Sequence, residues 1–193
     1  MKVEELDTRD LVPSVLWSPE KDKIRTPGLH LTDILYPMME EMGEVPNRPD
    51  LTKDDLETYR AMGFIWEHII TDVLNRIYFQ GAVVRPGEIT YDGVILTPDG
   101  VLLHDPKTGL YLEEWKCTWT TSGKPPKKMW EYQIKAYCLG LGIHCANIRI
   151  LYINGNWSPP KPGTRMYKYE FNDRDLWENW QEIKNYAKAK GMI

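Results

Sequence analysis

The sequence lacks several features that would place it in a membrane or secreted class. It has no run of about 18 apolar residues, so no membrane span is expected. Its three cysteines are odd in number and form no Cys-x-x-Cys pair, which indicates reduced packing residues. The first residues, MKVEELDTRD, are polar and acidic, unlike a secretory signal. These absences predict a cytoplasmic protein.

An excess of positive charge is also missing. Lys and Arg number 24 against 28 Asp and Glu, the net charge is -4, and the pI is near 5.6. The charge of the whole chain therefore does not indicate a nucleic-acid partner, and any phosphate binding must come from local clusters. A carboxylate-lined metal site would also account for the excess of acidic residues over basic ones.

What the sequence does contain is a succession of helix and strand patterns. Its 193 residues suit one domain with a substantial core. Residues 1–51 predict an extended arm and a short helix after Thr32, which Pro37 should kink or divide. Residues 52–157 predict a core in the order helix, three strands, helix, strand. Residues 158–193 predict an edge strand and a final helix.

Cap and turn signals set the expected boundaries inside this arrangement. The long core helix is expected to follow Thr52, and the second core helix to end near Gly140. Asp99-Gly100 is a strong hairpin signal, and Asn154-Gly155-Asn156 predicts a turn before the edge strand. Asp173 is expected to cap the final helix.

Charged side chains lie inside two apolar strand patterns, where burial costs several kcal/mol for each charge. Successive strand side chains point to opposite faces, so Asp92 is expected to share a face with Val94 and Leu96, and Glu114 with Lys116. A divalent cation would compensate the two carboxylates, with the lysine facing the same centre. A buried ion pair between an acid and the lysine is the alternative.

The long helix carries a third acid within its apolar stripe. Glu67 lies four residues after Gly63 and three before Ile70, on the face predicted to be buried. A glutamate facing the core needs a partner, whereas one at the helix edge reaches solvent through its long side chain. Both interpretations stay open. Its neighbour His68 is interpreted as a surface or boundary residue.

A second acid-spacer-lysine pattern, Asp105-Pro106-Lys107, competes with Glu114-Trp115-Lys116. Proline cannot donate to a sheet ladder and Gly109 follows closely, so the first pattern predicts a turn. The second pattern stands in a continuous strand and is preferred.

The second core helix places Gln133 and Tyr137, four residues apart, on one face. A group of lysines, opposed by Glu131, lies beside the predicted acid centre as a candidate phosphate-binding patch. Its members are Lys124, Lys127, Lys128 and Lys135. The alternative is that these lysines only form the solvent-exposed start of the helix.

In this order the motifs resemble the PD-(D/E)XK nuclease superfamily, and within it the RecB-like and phage exonuclease branch with a Gln-x-x-x-Tyr motif. The resemblance covers about Gly63 to Ile153. Each motif is weak alone, and the joint order is the more specific signal. The matching residues are Glu67 in GFIWE, Asp92 in TYDGVI, Glu114-Trp115-Lys116, and Gln133 with Tyr137.

The resemblance implies an α/β class with a restriction-endonuclease-like αβββαβ core, additions at both ends, and Mg²⁺- or Mn²⁺-dependent hydrolysis of DNA phosphodiester bonds. The implied metal ligands are Glu67, Asp92, Glu114 and the backbone carbonyl of Trp115, and Lys116 would orient or activate the attacking water. Gln133, Tyr137 and the lysines at 124, 127 and 128 would contact DNA, together with Lys161, Arg165 and Lys168.

Two departures from the family pattern bear on these expectations. Several RecB-like members have His where this chain has Glu67, although oxygen ligands suit hard divalent ions. Some relatives hold an iron–sulfur cluster, which needs four thiolates, and three cysteines cannot supply them. No cluster is therefore expected.

The predicted function is a metal-dependent DNA exonuclease that acts on ends or single strands, without sequence specificity, in recombination or repair. The setting would be a bacterial or phage-infected cell, with a homo-oligomer or a recombination or helicase protein as partner. A structure-specific or restriction-type endonuclease is one alternative. A non-catalytic DNA-binding adaptor with a nuclease fold is the other.

Overall fold

The structure, a computed structural model, describes residues 26–44, 52–78, 83–105, 109–119, 126–157 and 160–193. Most of the predicted arm over residues 1 to about 28, namely residues 1–25, and the lysine at 124 lie outside this part of the chain. The described helices are α1 (Leu31–Glu41), α2 (Lys53–Tyr78), α3 (Lys128–Leu141) and α4 (Asp173–Ala189). The described strands are β1 (Val83–Val84), β2 (Ile89–Tyr91), β3 (Val94–Leu96), β4 (Gly100–Asp105), β5 (Gly109–Thr118), β6 (Cys145–Trp157) and β7 (Pro160–Glu170).

The strands form one mixed sheet of five and one small sheet of two. The main sheet has the order β1-β4-β5-β6-β7, and β2 pairs with β3 alone. Within the main sheet β5 and β6 are parallel, because α3 connects them by a crossover, and the other pairs are antiparallel. The mixed α/β class predicted from the sequence is confirmed, with β7 at the edge as expected.

The two faces of the main sheet pack against different helices. On one face, Trp66 and Leu74 of α2 pack with Leu102 and Trp115 of the sheet. The other face packs against α1, α3 and α4 in a larger core that includes Ile148 of β6. Residues 111–115 of β5 are all buried, so alternating side chains of this strand enter opposite cores. Strand β5 is thus buried on both faces, between α2 on one side and α1, α3 and α4 on the other.

Several predicted boundaries need correction. Helix α1 continues through Pro37 instead of being divided by it. Helix α3 does end near Gly140, at Leu141, and its C-cap Gly142 has a left-handed φ of 67°, a conformation that glycine adopts at low cost. Strand β6 runs through Asn154-Gly155-Asn156 with a shifted register, so this segment is not the predicted turn. Asn172, not Asp173, caps α4 by accepting a hydrogen bond from the backbone N–H of Asp175.

The predicted hairpin also lies elsewhere. The tight connection is Asp92-Gly93, between the paired strands β2 and β3, and both residues have positive φ, 52° and 82°. Positive φ at both central residues is the requirement of a type I′ turn, which Asp-Gly satisfies. Asp99-Gly100 instead leads from the small sheet into β4 of the main sheet. The tight hairpin is therefore formed by Asp92-Gly93 and not, as the sequence predicted, by Asp99-Gly100.

Candidate active site

Asp99, Glu114 and Lys116 meet at the start of β4 and the middle of β5. The backbone N–H of Trp115 donates to Asp99 Oδ2 at 2.7 Å, and Lys116 Nζ donates to Glu114 Oε1. The pairing of β4 with β5 produces this meeting, since Gly100 lies opposite Glu113 in the register. Two acids and one amine therefore share a site that is largely closed to solvent.

Burial and like charge shape the protonation of this cluster. Burial, and then the neighbouring Asp99 carboxylate, raise the pKa of Glu114 to about 8, with Lys116 opposing the shift. Burial also raises the pKa of Asp99, against the attraction of Lys116 and Arg85. Burial disfavours the charged amine, but Glu114, Asp99 and Glu67 outweigh it and raise the pKa of Lys116. Lys116 is therefore a fixed cation, and the acid pair is where a proton is exchanged near neutral pH.

The structure does not bring Asp92 into this cluster, which corrects the sequence prediction. Asp92 lies in the β2–β3 turn, where its carboxylate accepts hydrogen bonds from Lys184 and from the Trp180 indole of α4. The Lys184 hydrogen bond, followed by that of Trp180, lowers the pKa of this carboxyl. The side chain is 46% exposed and links the small sheet to α4. The acid beside Glu114 is Asp99.

Asp99 was missed because its dipeptide with Gly100 was interpreted only as a turn. The signal that could have found it is the Pro98-Asp99 pair ahead of Glu114-Trp115-Lys116, which is similar to the motif after which the PD-(D/E)XK superfamily is named. Glycine is required at position 100 by packing and not by a turn. A Cβ at this position would lie 3.0 Å and 3.2 Å from the Trp115 ring and 3.3 Å from Val83.

Glu67 lies near the cluster, in an ion pair with Arg85. Its carboxylate raises the pKa of Lys116, so α2 does present it toward the site. Arg85 Nη1 lies 3.7 Å from Glu67 Oε2, and this guanidinium lies 5.6 Å from the centre of the Trp115 ring. Sequence reasoning did not single out Arg85, because a lone arginine after a proline-bounded strand carries no motif.

Gln133 and Tyr137 lie on the α3 face that covers the acids. Gln133 Nε2 donates to the Tyr137 hydroxyl at 2.8 Å, and the backbone N–H of Thr97 also binds that oxygen. Burial, followed by the Glu114 charge, raises the pKa of Tyr137. Both side chains line a cavity of about 610 Å³, which also involves His30 and Thr32 at the start of α1.

The lysine patch is more neutralised than predicted. Lys128 lies 3.5 Å from Glu44, and Lys135 pairs with Glu131 at 2.7 Å, so two acids oppose these lysines. Lys127 lies over the Trp130 ring at 5.2 Å. Lys168 on β7 pairs with Glu170.

The residues of the cluster fit a divalent cation. Glu114 Oε2 is buried and has no hydrogen-bond partner, and the nearby Asp99 carboxylate raises the pKa of Glu114. Mg²⁺ is commonly held by one or two carboxylates together with water and substrate oxygens. Within the described ranges no group of three or more His, Cys, Asp or Glu side chains is arranged to hold a metal. The fit thus rests on two carboxylates, with Glu67 nearby.

The helices that the structure describes include none with the length and apolar character needed to span a bilayer.

Comparisons with known proteins place the fold. No family model matches the chain, and no curated protein sequence matches it. The crystal structure of SSO0001 is similar with a TM-score of 0.56 at 10% identity, over 90% of this chain and 84% of that chain. The alkaline exonuclease LHK-Exo from Laribacter hongkongensis matches with a TM-score of 0.50 at 17% identity, over 82% of this chain and 77% of that chain. Its complex with dAMP matches with a TM-score of 0.51 at 15% identity, over 92% and 84% of the two chains. The chain therefore shares its fold with an exonuclease structure.

Proposed function

We propose that this chain is a divalent-metal-dependent deoxyribonuclease of the exonuclease kind, which hydrolyses DNA phosphodiester bonds. The observation that carries the proposal is the buried, unpartnered Glu114 Oε2 beside the Asp99 carboxylate, with the Lys116 amine bound to the other oxygen of Glu114. Two adjacent carboxylates that are largely withdrawn from water repel each other unless a proton or a cation lies between them. A bound divalent cation would remove this repulsion and would also supply the chemistry of hydrolysis.

In this proposal Asp99 and Glu114 bind Mg²⁺ or Mn²⁺, with Glu67 and the Trp115 carbonyl as further candidate ligands. The ion would supply an activated water and neutralise charge that develops on the phosphate oxygens. Lys116 keeps its proton, because three carboxylates raise its pKa. As a cation it would orient the water or stabilise the pentacoordinate phosphorus by its charge.

DNA is proposed as the substrate because of the fold and the surroundings of the acids. LHK-Exo, which has a similar fold, is an alkaline exonuclease that has been crystallised with dAMP. In this chain a cavity lined by Gln133 and Tyr137, the residues of α3 next to the acids, has the size of a ligand pocket, typically about 300–1,000 Å³. We infer that a nucleotide near the cleaved bond lies there, with the Tyr137 hydroxyl held by Gln133. Action on ends or single strands in recombination or repair remains part of this proposal.

The test uses linear, nicked and closed circular DNA of one sequence, each incubated with Mg²⁺ or with EDTA. The proposal predicts loss of linear DNA that needs Mg²⁺ and is abolished by Lys116→Ala, with closed circles left intact. Cutting of closed circles that depends on Lys116 would favour an endonuclease. DNA binding without any Lys116-dependent cleavage would overturn the proposal in favour of an adaptor.

A further inference from the structure

Arg85 lies at the edge of the acid cluster, just after β1. Its Nη1 lies 3.7 Å from Glu67 Oε2, and its Nη2 donates to Thr71 Oγ1 at 3.3 Å. The guanidinium also lies over the Trp115 ring, on the strand that carries Glu114 and Lys116. One third of its side chain is exposed, so an incoming ligand can reach it.

A phosphate that enters this site meets mainly negative charge. Glu67, Asp99 and Glu114 are all acids, and the Lys116 amine is already bound to Glu114. Arg85 is a second cation close enough to lower the pKa of Asp99. Its planar fork of N–H donors matches two phosphate oxygens, which a lysine ammonium does not.

We propose that Arg85 binds a phosphate of the DNA strand at the active site, and that Glu67 holds this guanidinium in place until the phosphate replaces it. The inference rests on the proposed nuclease function and adds to it a substrate-binding residue together with its competitor. In the DNA-free protein the pair keeps the arginine beside the cluster. In the complex the phosphate takes the donors that faced Glu67.

The geometry of the pair makes this exchange favourable. The 3.7 Å separation is too long for a hydrogen bond, and the two side chains are 33% and 22% exposed. Pairs of that kind contribute little to stability in water. A bidentate bond between arginine and phosphate is shorter and stronger, so phosphate outcompetes the carboxylate. Trp115 and Thr71 keep the guanidinium oriented during the exchange.

The test measures binding of a fluorescein-labelled single-stranded oligonucleotide by fluorescence anisotropy in EDTA, where no divalent ion supports cleavage. Arg85→Ala is expected to weaken binding about tenfold, because charge-assisted hydrogen bonds are lost. Arg85→Lys is expected to fall between this variant and the wild type. Glu67→Gln is expected to tighten binding about threefold, because the Glu67 carboxylate no longer competes with the phosphate for the guanidinium. In Arg85→Ala/Glu67→Gln that gain should disappear.

Asp72→Asn is the matched control, since Asp72 pairs with Arg76 on the same helix, away from the cluster. It reports the effect of removing one negative charge and releasing one arginine. Circular dichroism and Tm identify any variant that does not fold, and if Arg85→Ala fails, the uncharged Arg85→Gln replaces it in the double-mutant comparison.

Three results would overturn the inference. One is tightening by Glu67→Gln no greater than that of Asp72→Asn, and another is persistence of that gain in the double variant. If either occurs while wild-type protein degrades linear DNA with Mg²⁺, only the role of Arg85 fails. The third is wild-type protein that neither binds nor cleaves DNA, which would remove the proposed function and the inference with it.

Discussion

At the scale of single residues, the two buried acids give the metal-free protein a characteristic pH dependence. The pKa of Glu114 is raised from 4.5 to about 8, so the folded metal-free protein holds this proton more tightly than the unfolded chain does. The associated stability is fully present below about pH 4.5 and is lost as the pH rises through about 8.

The first prediction concerns metal uptake across this pH range. Mg²⁺ must displace the shared proton, so its apparent affinity should rise with pH up to about 8 and then level off. Isothermal titration calorimetry at pH 7, in two buffers of different ionisation enthalpy, should detect release of a proton on binding. Affinity that does not change between pH 6 and pH 9 would contradict the assignment.

Glu113, the neighbour of Glu114, has a structural role on the opposite face of β5. Its buried carboxylate accepts hydrogen bonds from Asn147 Nδ2 at 2.8 Å and from Arg149 Nε at 2.7 Å. Both partners lie on β6, so the network joins the two parallel strands of the site.

The second prediction follows from this network. Glu113→Ala leaves the largely buried Arg149 without its counter-charge and should lower the free energy of unfolding by about 3 kcal/mol. Denaturation by urea measures this loss. Glu178→Ala is the control, because it removes the exposed partner of Arg174 and should leave the urea midpoint unchanged. Equal effects of the two variants would show that the buried network does not contribute to the free energy of unfolding.

At the scale of secondary-structure elements, the long helix and the charged strand follow from local pattern. Helix α2 runs from Lys53, directly after the predicted cap Thr52, to Tyr78. Glu114 and Lys116 share one face of β5, as strand alternation requires. The hairpin assignment failed because both Asp92-Gly93 and Asp99-Gly100 carry the same dipeptide signal, and strand pairing over longer range decides between them.

The third prediction compares two glycines in different elements. Gly100→Ala should destabilise the protein by about 1–3 kcal/mol, because its Cβ would press on the Trp115 ring and on Val83. Gly63→Ala should instead stabilise it by about 0.5–1 kcal/mol, since Gly63 lies in α2 with nothing within 4 Å of an added Cβ. Thermal unfolding of the two variants should shift Tm in opposite directions. A Tm for Gly100→Ala equal to or above that of the wild type would contradict the packing at Gly100.

At the scale of the whole molecule, the order of motifs predicted the fold class, while the site needed the three-dimensional pairing of strands. Glu114, Lys116, Gln133 and Tyr137 come together because β5 and α3 are consecutive along the chain. Asp99 joins them only through the β4–β5 register, which no local pattern encodes. Lys184, the partner of Asp92 on α4, is 92 residues away in sequence, so the isolated motif could not show that this acid was already paired.

The central claim is that Asp99 and Glu114, and not Asp92, hold the metal for DNA hydrolysis. The most direct measurement is the rate of Mg²⁺-dependent degradation of linear DNA by Asp99→Asn and by Asp92→Asn. Asparagine keeps the shape of either side chain and tolerates the positive φ of position 92. The account predicts a loss of at least about 100-fold for Asp99→Asn, beyond what outer-shell changes at metal sites cost, and a rate for Asp92→Asn close to that of the wild type. The reverse order of the two variants, or full activity of Asp99→Asn, would contradict it.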